Sequence, residues 1–191
     1  MTKEASQAAD KARLIEIIKT RSFSTGGEIK LASGRSSNFY FNMKPTMLGP
    51  EGAHLIGVLI CAALAGRSVD MVGGLEMGAV PIATAVAVTS QLKGWPLPAF
   101  FVRKQAKDHG TQSLVEGLPK GQSLAGRRVV IVEDVTTTGG SAMKAIAAVQ
   151  AEGAIVDRVI TVVDRLEGAA ETFKSAGVDF QAILTAKDFG D

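Results

Sequence analysis

The chain has one cysteine, one tyrosine and one tryptophan in 191 residues, and neither sign of charge in clear excess. A lone thiol, Cys61, cannot build a disulfide framework, which favours a reducing compartment. Set among Leu59, Ile60, Ala62 and Ala63, it reads as inert core. With 21 basic against 19 acidic residues the net charge is +2, and without a basic stripe no nucleic-acid partner is expected. The charged N-terminus lacks an apolar signal region, and the most apolar stretch, AVPIATAVAV at residues 79–88, is too short to span a bilayer and is interrupted by Pro81. No membrane association is expected, and a soluble cytoplasmic protein is. The 46% hydrophobic content still suffices for one substantial core, so a single domain over residues 1–191 with a small appendage is expected.

What is distinctive is concentrated between Val129 and Ser141, VVIVEDVTTTGGS. Four apolar residues, Val129 to Val132, predict a strand buried on both faces of a parallel sheet and ending at the acids Glu133 and Asp134. Thr136, Thr137, Thr138, Gly139 and Gly140 form a loop, and Ser141 opens an alanine-rich helix to about Glu152. A loop between strand and helix points backbone N–H groups outward at the positive end of the helix dipole, so a phosphate can bind there without a lysine. Hydroxyls add donors, and adjacent carboxylates suit the vicinal diol of a ribose. The ligand these parts predict is a ribose 5-phosphate. The stretch contains neither GxxxxGK[ST] nor GxGxxG, so neither a nucleoside-triphosphate loop nor a dinucleotide loop is supported there. A shorter fragment would be no more than a buried strand and an ordinary turn. The full sequence of apolar run, two acids, Thr-rich loop and glycine closely resembles the phosphoribosyl-diphosphate (PRPP) motif of type I phosphoribosyltransferases, a motif shared by transferases for several bases.

From about Ala8 to Lys19, Leu14, Ile15, Ile17 and Ile18 recur among charged neighbours and predict a weakly amphipathic packing helix, broken by Gly26 and Gly27. Phe39, Tyr40 and Phe41 are consecutive, and IKLAS and SNFYFNM predict two short strands joined around Gly34 and Arg35, a hairpin with one face buried. A helix from about Pro50 to Ala65 ends at Gly66. Asp70 to Gly73 is a short strand leading into GGLEMGAVPIA, which is plain strand-to-helix geometry or a second phosphate loop with equal weight. The next strand, Leu97 to Val102, runs into RKQAKDHG, where Arg103, Lys104, Lys107 and His109 place four cations close together. Charge runs are usually solvated surface. From Lys104 to about Ser123, however, there is little periodicity while Gly110, Gly117 and Gly121 recur, and long irregular stretches are usually functional or disordered. A basic lid would suit a leaving group with several negative charges. Beyond the central motif, Gly153 reads as a helix terminator and Arg158 to Val163 as a strand ending at Asp164 and Arg165. An arginine there can take a planar carboxylate with two parallel hydrogen bonds, or pair with Asp164 or Glu167 at the surface. A helix near Ala169 to Ser175 and a strand around Phe180 to Leu184 complete the pattern.

This alternation predicts an α/β fold, a doubly wound, mostly parallel sheet flanked by helices, with a small N-terminal hood at about 20–48 on a core of about 49–191. Four spellings narrow the resemblance. SGRSSNFYFN is similar to the hood of orotate phosphoribosyltransferases, RKxAKDHG to their lid, VDR to the segment whose arginine recognises orotate, and TAKDF to their terminal segment. The resemblance implies a type I phosphoribosyltransferase fold and transfer of the phosphoribosyl group from PRPP to N1 of orotate, giving orotidine 5′-monophosphate and diphosphate in pyrimidine biosynthesis. It implies that Glu133 and Asp134 hold the ribose diol, with Asp134 also a catalytic carboxylate beside the developing positive charge. It further implies that Val135, Thr136, Thr137, Thr138, Gly139, Gly140 and Ser141 bind the phosphate end of PRPP. Arg103, Lys104, Lys107 and His109 would bind its diphosphate, with Lys107 the main catalytic lid residue. Tyr40, Phe41, Thr137 and Arg165 would contact orotate. Mg²⁺ is the implied cofactor, held mainly by ligand oxygens, and the implied assembly is a homodimer with lid residues shared between subunits. Some relatives carry lysines where this chain has Ala32 and Met77, and Lys44 is the candidate to compensate in part. Two rivals share the central motif. A purine phosphoribosyltransferase has no use for RKxAKDHG, and a non-catalytic PRPP-sensing regulator would add a basic nucleic-acid surface.

Overall fold

The computed structural model describes residues 3–30, 36–105 and 113–190. Helix α1 (Lys3–Arg21) buries Leu14, Ile17 and Ile18 and is longer than its apolar pattern predicts. It ends before the glycines, with the Ser22 N–H donating to the Ile18 carbonyl at 2.8 Å. Gly26 and Gly27 do not break the chain but lie inside strand β1 (Phe23–Lys30). That strand pairs antiparallel with β2 (Ser36–Phe41), Phe23 opposite Phe41 and Thr25 opposite Phe39, with a register shift between Thr25 and Ile29. Gly26, at φ +112°, takes up this irregularity. The hood hairpin therefore exists but starts at Phe23, well ahead of IKLAS; residues 31–35 lie outside the described residues.

A short helix α2 (Lys44–Met47) precedes α3 (Pro50–Leu64), where proline sits in the first turn and needs no helical N–H partner. Strand β3 (Met71–Gly73) leads to α4 (Ala79–Leu92). Strand β4 (Phe101–Val102) pairs antiparallel with β5 (Val115–Glu116), so the stretch that shows no pattern in sequence contains a return strand. The chain continues through β6 (Arg128–Thr136), α5 (Gly140–Ala151), β7 (Ile155–Asp164), α6 (Ala169–Ser175), β8 (Asp179–Thr185) and a 3₁₀ turn at Ala186–Phe189.

Strands β3, β6, β7 and β8 form a parallel sheet in that order, and single parallel bridges, Val72 to Ala99 and Leu75 to Val102, extend it beyond β3. Successive residues of β6 serve opposite layers. Val130 and Val132 pack with α1, α3 and α4, whereas Val129 and Ile131 pack with α5 and α6. A strand covered on both faces must be apolar at every position, which explains the unbroken Val129–Val132 run. Cys61 is buried in α3 with its sulfur 3.7 Å from the Val86 carbonyl, and burial pushes the thiol up to about 11, as expected of inert core.

Candidate functional site

Strand β6 does not end at the acids. It stays paired with β7 through Glu133 opposite Thr161, Val135 opposite Val163 and Thr136 opposite Asp164, so the acid pair is carried on rigid sheet rather than on a loop. Glu133 is thereby buried at 7% exposure, while Asp134 is half-buried. The first glycine turn reaches the same point. A Cβ on Gly78 would stand 2.5 Å from Asp134 Oδ1, and one on Gly74 would stand 2.3 Å from the Val132 carbonyl oxygen. Only glycine lets the β3–α4 turn approach the acid-bearing end of β6 this closely, so GGLEMGAVPIA packs against the acid pair.

Beyond the acids the chain curls into a small cup of ≈ 30 Å³ whose wall includes Glu133, Val135, Thr136, Thr137, Gly139, Gly140 and Ser141. Gly139 caps α5 at φ +88°, and no side chain caps the helix, so its first amides are open to an anion. Thr136 Oγ1 and Glu133 Oε2 are buried and make no hydrogen bond among the described residues. Such groups are costly in a free protein and suit a ligand that supplies the partner. Thr138 is half-buried and off the cup wall.

The cup opens toward a cleft of ≈ 690 Å³ walled by Tyr40, Lys44, Glu76, Met77, Gly78, Lys104, Glu133, Asp134 and Ser141, among others. Lys44 lines this cleft. Met77 is 62% exposed; Ala32 lies outside the described residues. Arg103 faces a neighbouring groove of ≈ 760 Å³, donates from Nε to the Gln105 carbonyl at 3.2 Å and lies 3.9 Å from Glu116. Lys107 and His109 fall outside the described residues.

The aromatic expectation needs correction at one position. Alternation along β2 sends Tyr40 to the cleft and Phe41 to the core, where it packs at 5.0 Å, centroid to centroid, on both Phe23 and Phe189. Phe39, on the Phe41 side, stacks under the Arg165 guanidinium at 4.5 Å. Arg165 is buried at the end of β7, and its backbone N–H donates to the Thr136 carbonyl at 2.9 Å. Its Nε meets Glu167 Oε1 at 2.8 Å, so of the arrangements open in sequence the Glu167 pairing is present; the Asp164 carboxylate accepts instead from the Leu166 N–H at 2.9 Å. Glu76 and Gly78 lie in GGLEMGAVPIA and Phe39 in SGRSSNFYFN, but neither spelling reports their contacts with Lys104, Asp134 and Arg165.

Burial, reinforced by the Asp134 charge, holds the Glu133 carboxyl well above the usual carboxylate range. The folded state therefore retains a proton that the unfolded chain releases, and stability falls as pH rises from the ordinary carboxylate range through the raised value. Glu133→Gln should remove this pH dependence and raise the melting temperature of the ligand-free protein at neutral pH by roughly 2–8 °C, for about 1–2 kcal/mol. Scanning calorimetry of both proteins across pH checks this. A variant less stable than its parent at neutral pH would refute the burial argument.

A glycine turn closed on an acid carried by the sheet, beside a small cup at a helix N-terminus, is the site architecture of a parallel α/β protein suited to a phosphorylated ligand. Residues 48–186 match the phosphoribosyl transferase domain family. The orotate phosphoribosyltransferase of Bradyrhizobium diazoefficiens is 58% identical over 96% of this chain and 98% of its own. The Mycobacterium tuberculosis orotate phosphoribosyltransferase, solved with Fe(III) dicitrate, superposes with a TM-score of 0.82 at 40% identity over 95% of this chain and 99% of that one. The same enzyme in complex with PRPP gives a TM-score of 0.77 at 37% identity, again over 95% and 99%. The chain belongs to the orotate phosphoribosyltransferase family.

Proposed function

We propose that this protein transfers the 5-phosphoribosyl group of PRPP to N1 of orotate, releasing orotidine 5′-monophosphate and diphosphate, as a step of pyrimidine biosynthesis in the cytoplasm. The observation that supports the reading is the close approach of Gly78 to Asp134, with the cup at the start of α5 and the open cleft sharing Glu133, Val135 and Ser141, an arrangement that suits a ribose held between a phosphate site and the cleft. In this reading Thr136, Thr137, Gly140 and Ser141 bind the 5′-phosphate through hydroxyls and helix amides. Glu133 and Asp134 accept from the ribose hydroxyls, and the Asp134 charge stabilises the ring as positive charge develops at C1. Lys44 and Lys104, with Lys107 from the lid, oppose the departing diphosphate. The cleft acids Glu76, Glu133 and Asp134 are hard oxygen donors. That set fits Mg²⁺ carried on PRPP oxygens beside Asp134, where the ion would neutralise diphosphate charge.

The dimer belongs to the same reading. Leu48, Met77, Val88 and Leu92 are 72%, 62%, 56% and 82% exposed and border an apolar groove of ≈ 580 Å³. Met47, Leu48, Met77 and Pro81 line both this groove and the cleft, so a second copy seated here would lie beside the active site. No helix among the described residues is long and apolar enough to cross a membrane. Leu92→Glu should therefore shift the protein to monomer in sedimentation velocity with an unchanged circular dichroism spectrum. A variant that sediments as its parent would remove this face from the interface.

The reaction is tested by supplying PRPP and Mg²⁺ with orotate, hypoxanthine, adenine or uracil in turn and following nucleotide formation. Turnover of hypoxanthine with none of orotate would overturn the acceptor. PRPP binding with no turnover of any base would favour the regulator.

A further inference from the structure

We propose that Glu76 is the positioning residue for Lys104 at the base of the lid, acting through a hydrogen bond from the Lys104 backbone N–H to its carboxylate. The contact is 2.9 Å from Lys104 N to Glu76 Oε1. It is the last of three rungs. The Val102 N–H donates to the Gly74 carbonyl at 2.8 Å, the Glu76 N–H to the Val102 carbonyl at 2.8 Å, and the Lys104 N–H to the Glu76 side chain. The first two continue the parallel bridge between Leu75 and Val102. Past Glu76 the main chain turns toward α4, which begins at Ala79, and at this rung the acceptor is a carboxylate oxygen instead of a backbone carbonyl.

The consequence is positional. Glu76, Lys104, Glu133 and Asp134 share the wall of the ≈ 690 Å³ cleft, and the bond uses the main chain of Lys104, leaving its ammonium out of the contact. The carboxylate thus pins the Cα of Lys104 beside the β3–α4 turn, and the cation projects from a fixed point toward the space above the ribose acids. A diphosphate in that space meets a lysine that has already lost its backbone freedom, so less ordering remains to be done on binding. This rests on the proposed reaction and deepens it by assigning Glu76 a part in PRPP affinity.

Two substitutions separate the backbone bond from the charge. Glu76→Ala removes the acceptor, whereas Glu76→Gln keeps an oxygen in place and loses only the charge. Steady-state kinetics should show the KM for PRPP raised about tenfold in Glu76→Ala and within about threefold of the parent in Glu76→Gln, with the KM for orotate moved by no more than about twofold in either. Hydrogen exchange of the ligand-free proteins should be faster over residues 101–105 in Glu76→Ala and unchanged in Glu76→Gln, with melting temperatures recorded to confirm that both fold. Equal impairment of the two variants would mean that charge, not the bond, matters, and would overturn the proposal. So would faster exchange without an effect on PRPP, or a loss that falls on orotate instead. Because exchange is read without substrates, failure of the parent to use orotate would strike the reaction and leave the bond to be judged on its own.

Discussion

Replacing Arg165 by alanine should raise the KM for orotate by about two orders of magnitude and leave the KM for PRPP within a few-fold. Truncating one member of a buried charge pair costs roughly 2–5 kcal/mol, about thirtyfold to several thousandfold in affinity. The structure adds why this arginine is prepared for the task. Its guanidinium carbon lies 4.5 Å from the centre of the Phe39 ring and its Nε 2.8 Å from Glu167 Oε1 as an ion pair, contacts that restrict the side chain before substrate arrives. Its backbone is tied to Thr136, next to Thr137, the threonine proposed to contact the same base. Arg165→Lys keeps the charge and loses the planar fork, and should recover little. The Phe39 stack also ties the hood to the sheet, so Arg165→Ala should loosen the hood by about 0.5–2 kcal/mol, measurable as faster exchange in β2. Kinetics with each substrate varied in turn decide the matter. Equal loss of affinity for orotate and PRPP would place Arg165 in the scaffold and not at the base.

How much of this was legible in sequence depends on how far each feature is local. Val129 to Val132 could be read because burial on both faces demands an unbroken apolar run, and Gly139 because the loop needs a residue at positive φ. The end of β6 was misplaced because an acid pair resembles a strand end. Pairing to Thr161 and Asp164 on β7 carries the strand on through Glu133, a burial that runs against ordinary preference. β1 was started too late for the opposite reason. Gly26 and Gly27 look like punctuation, yet pairing of Phe23 with Phe41 and the aromatic cluster with Phe189 outweigh their weak strand preference. β5 is two residues long and carries no periodicity. The assignment of Phe41 to the base could have been refined from alternation alone, since Phe39 and Phe41 must share one face and Tyr40 the other. Gly78 and Glu76 act through contacts with Asp134 and Lys104, residues distant in the chain, and no spacing rule reports that.

Mixing two inactive variants should restore activity if the lid is shared between subunits. Lys107→Ala removes the cation proposed to act on the diphosphate, and Asp134→Asn removes the carboxylate against which Gly78 closes. Each homodimer should lose nearly all turnover, for separate reasons. After subunits exchange, a mixed dimer has one chain with an intact Asp134 that receives an intact lid from its partner, so one of its two sites carries every parental group. Random reassortment makes about half the dimers mixed, and with one whole site in each, activity should return to roughly a quarter of the parent's. A lid that serves its own subunit predicts no recovery, because each chain then keeps its own defect. Mass spectrometry of differently labelled subunits shows when exchange is complete, and Leu92→Glu in both chains supplies a further control. If the face bordered by Leu48, Met77, Val88 and Leu92 is the interface, that substitution abolishes the recovery together with the dimer. A fully exchanged mixture that stays inactive would confine the lid to its own site.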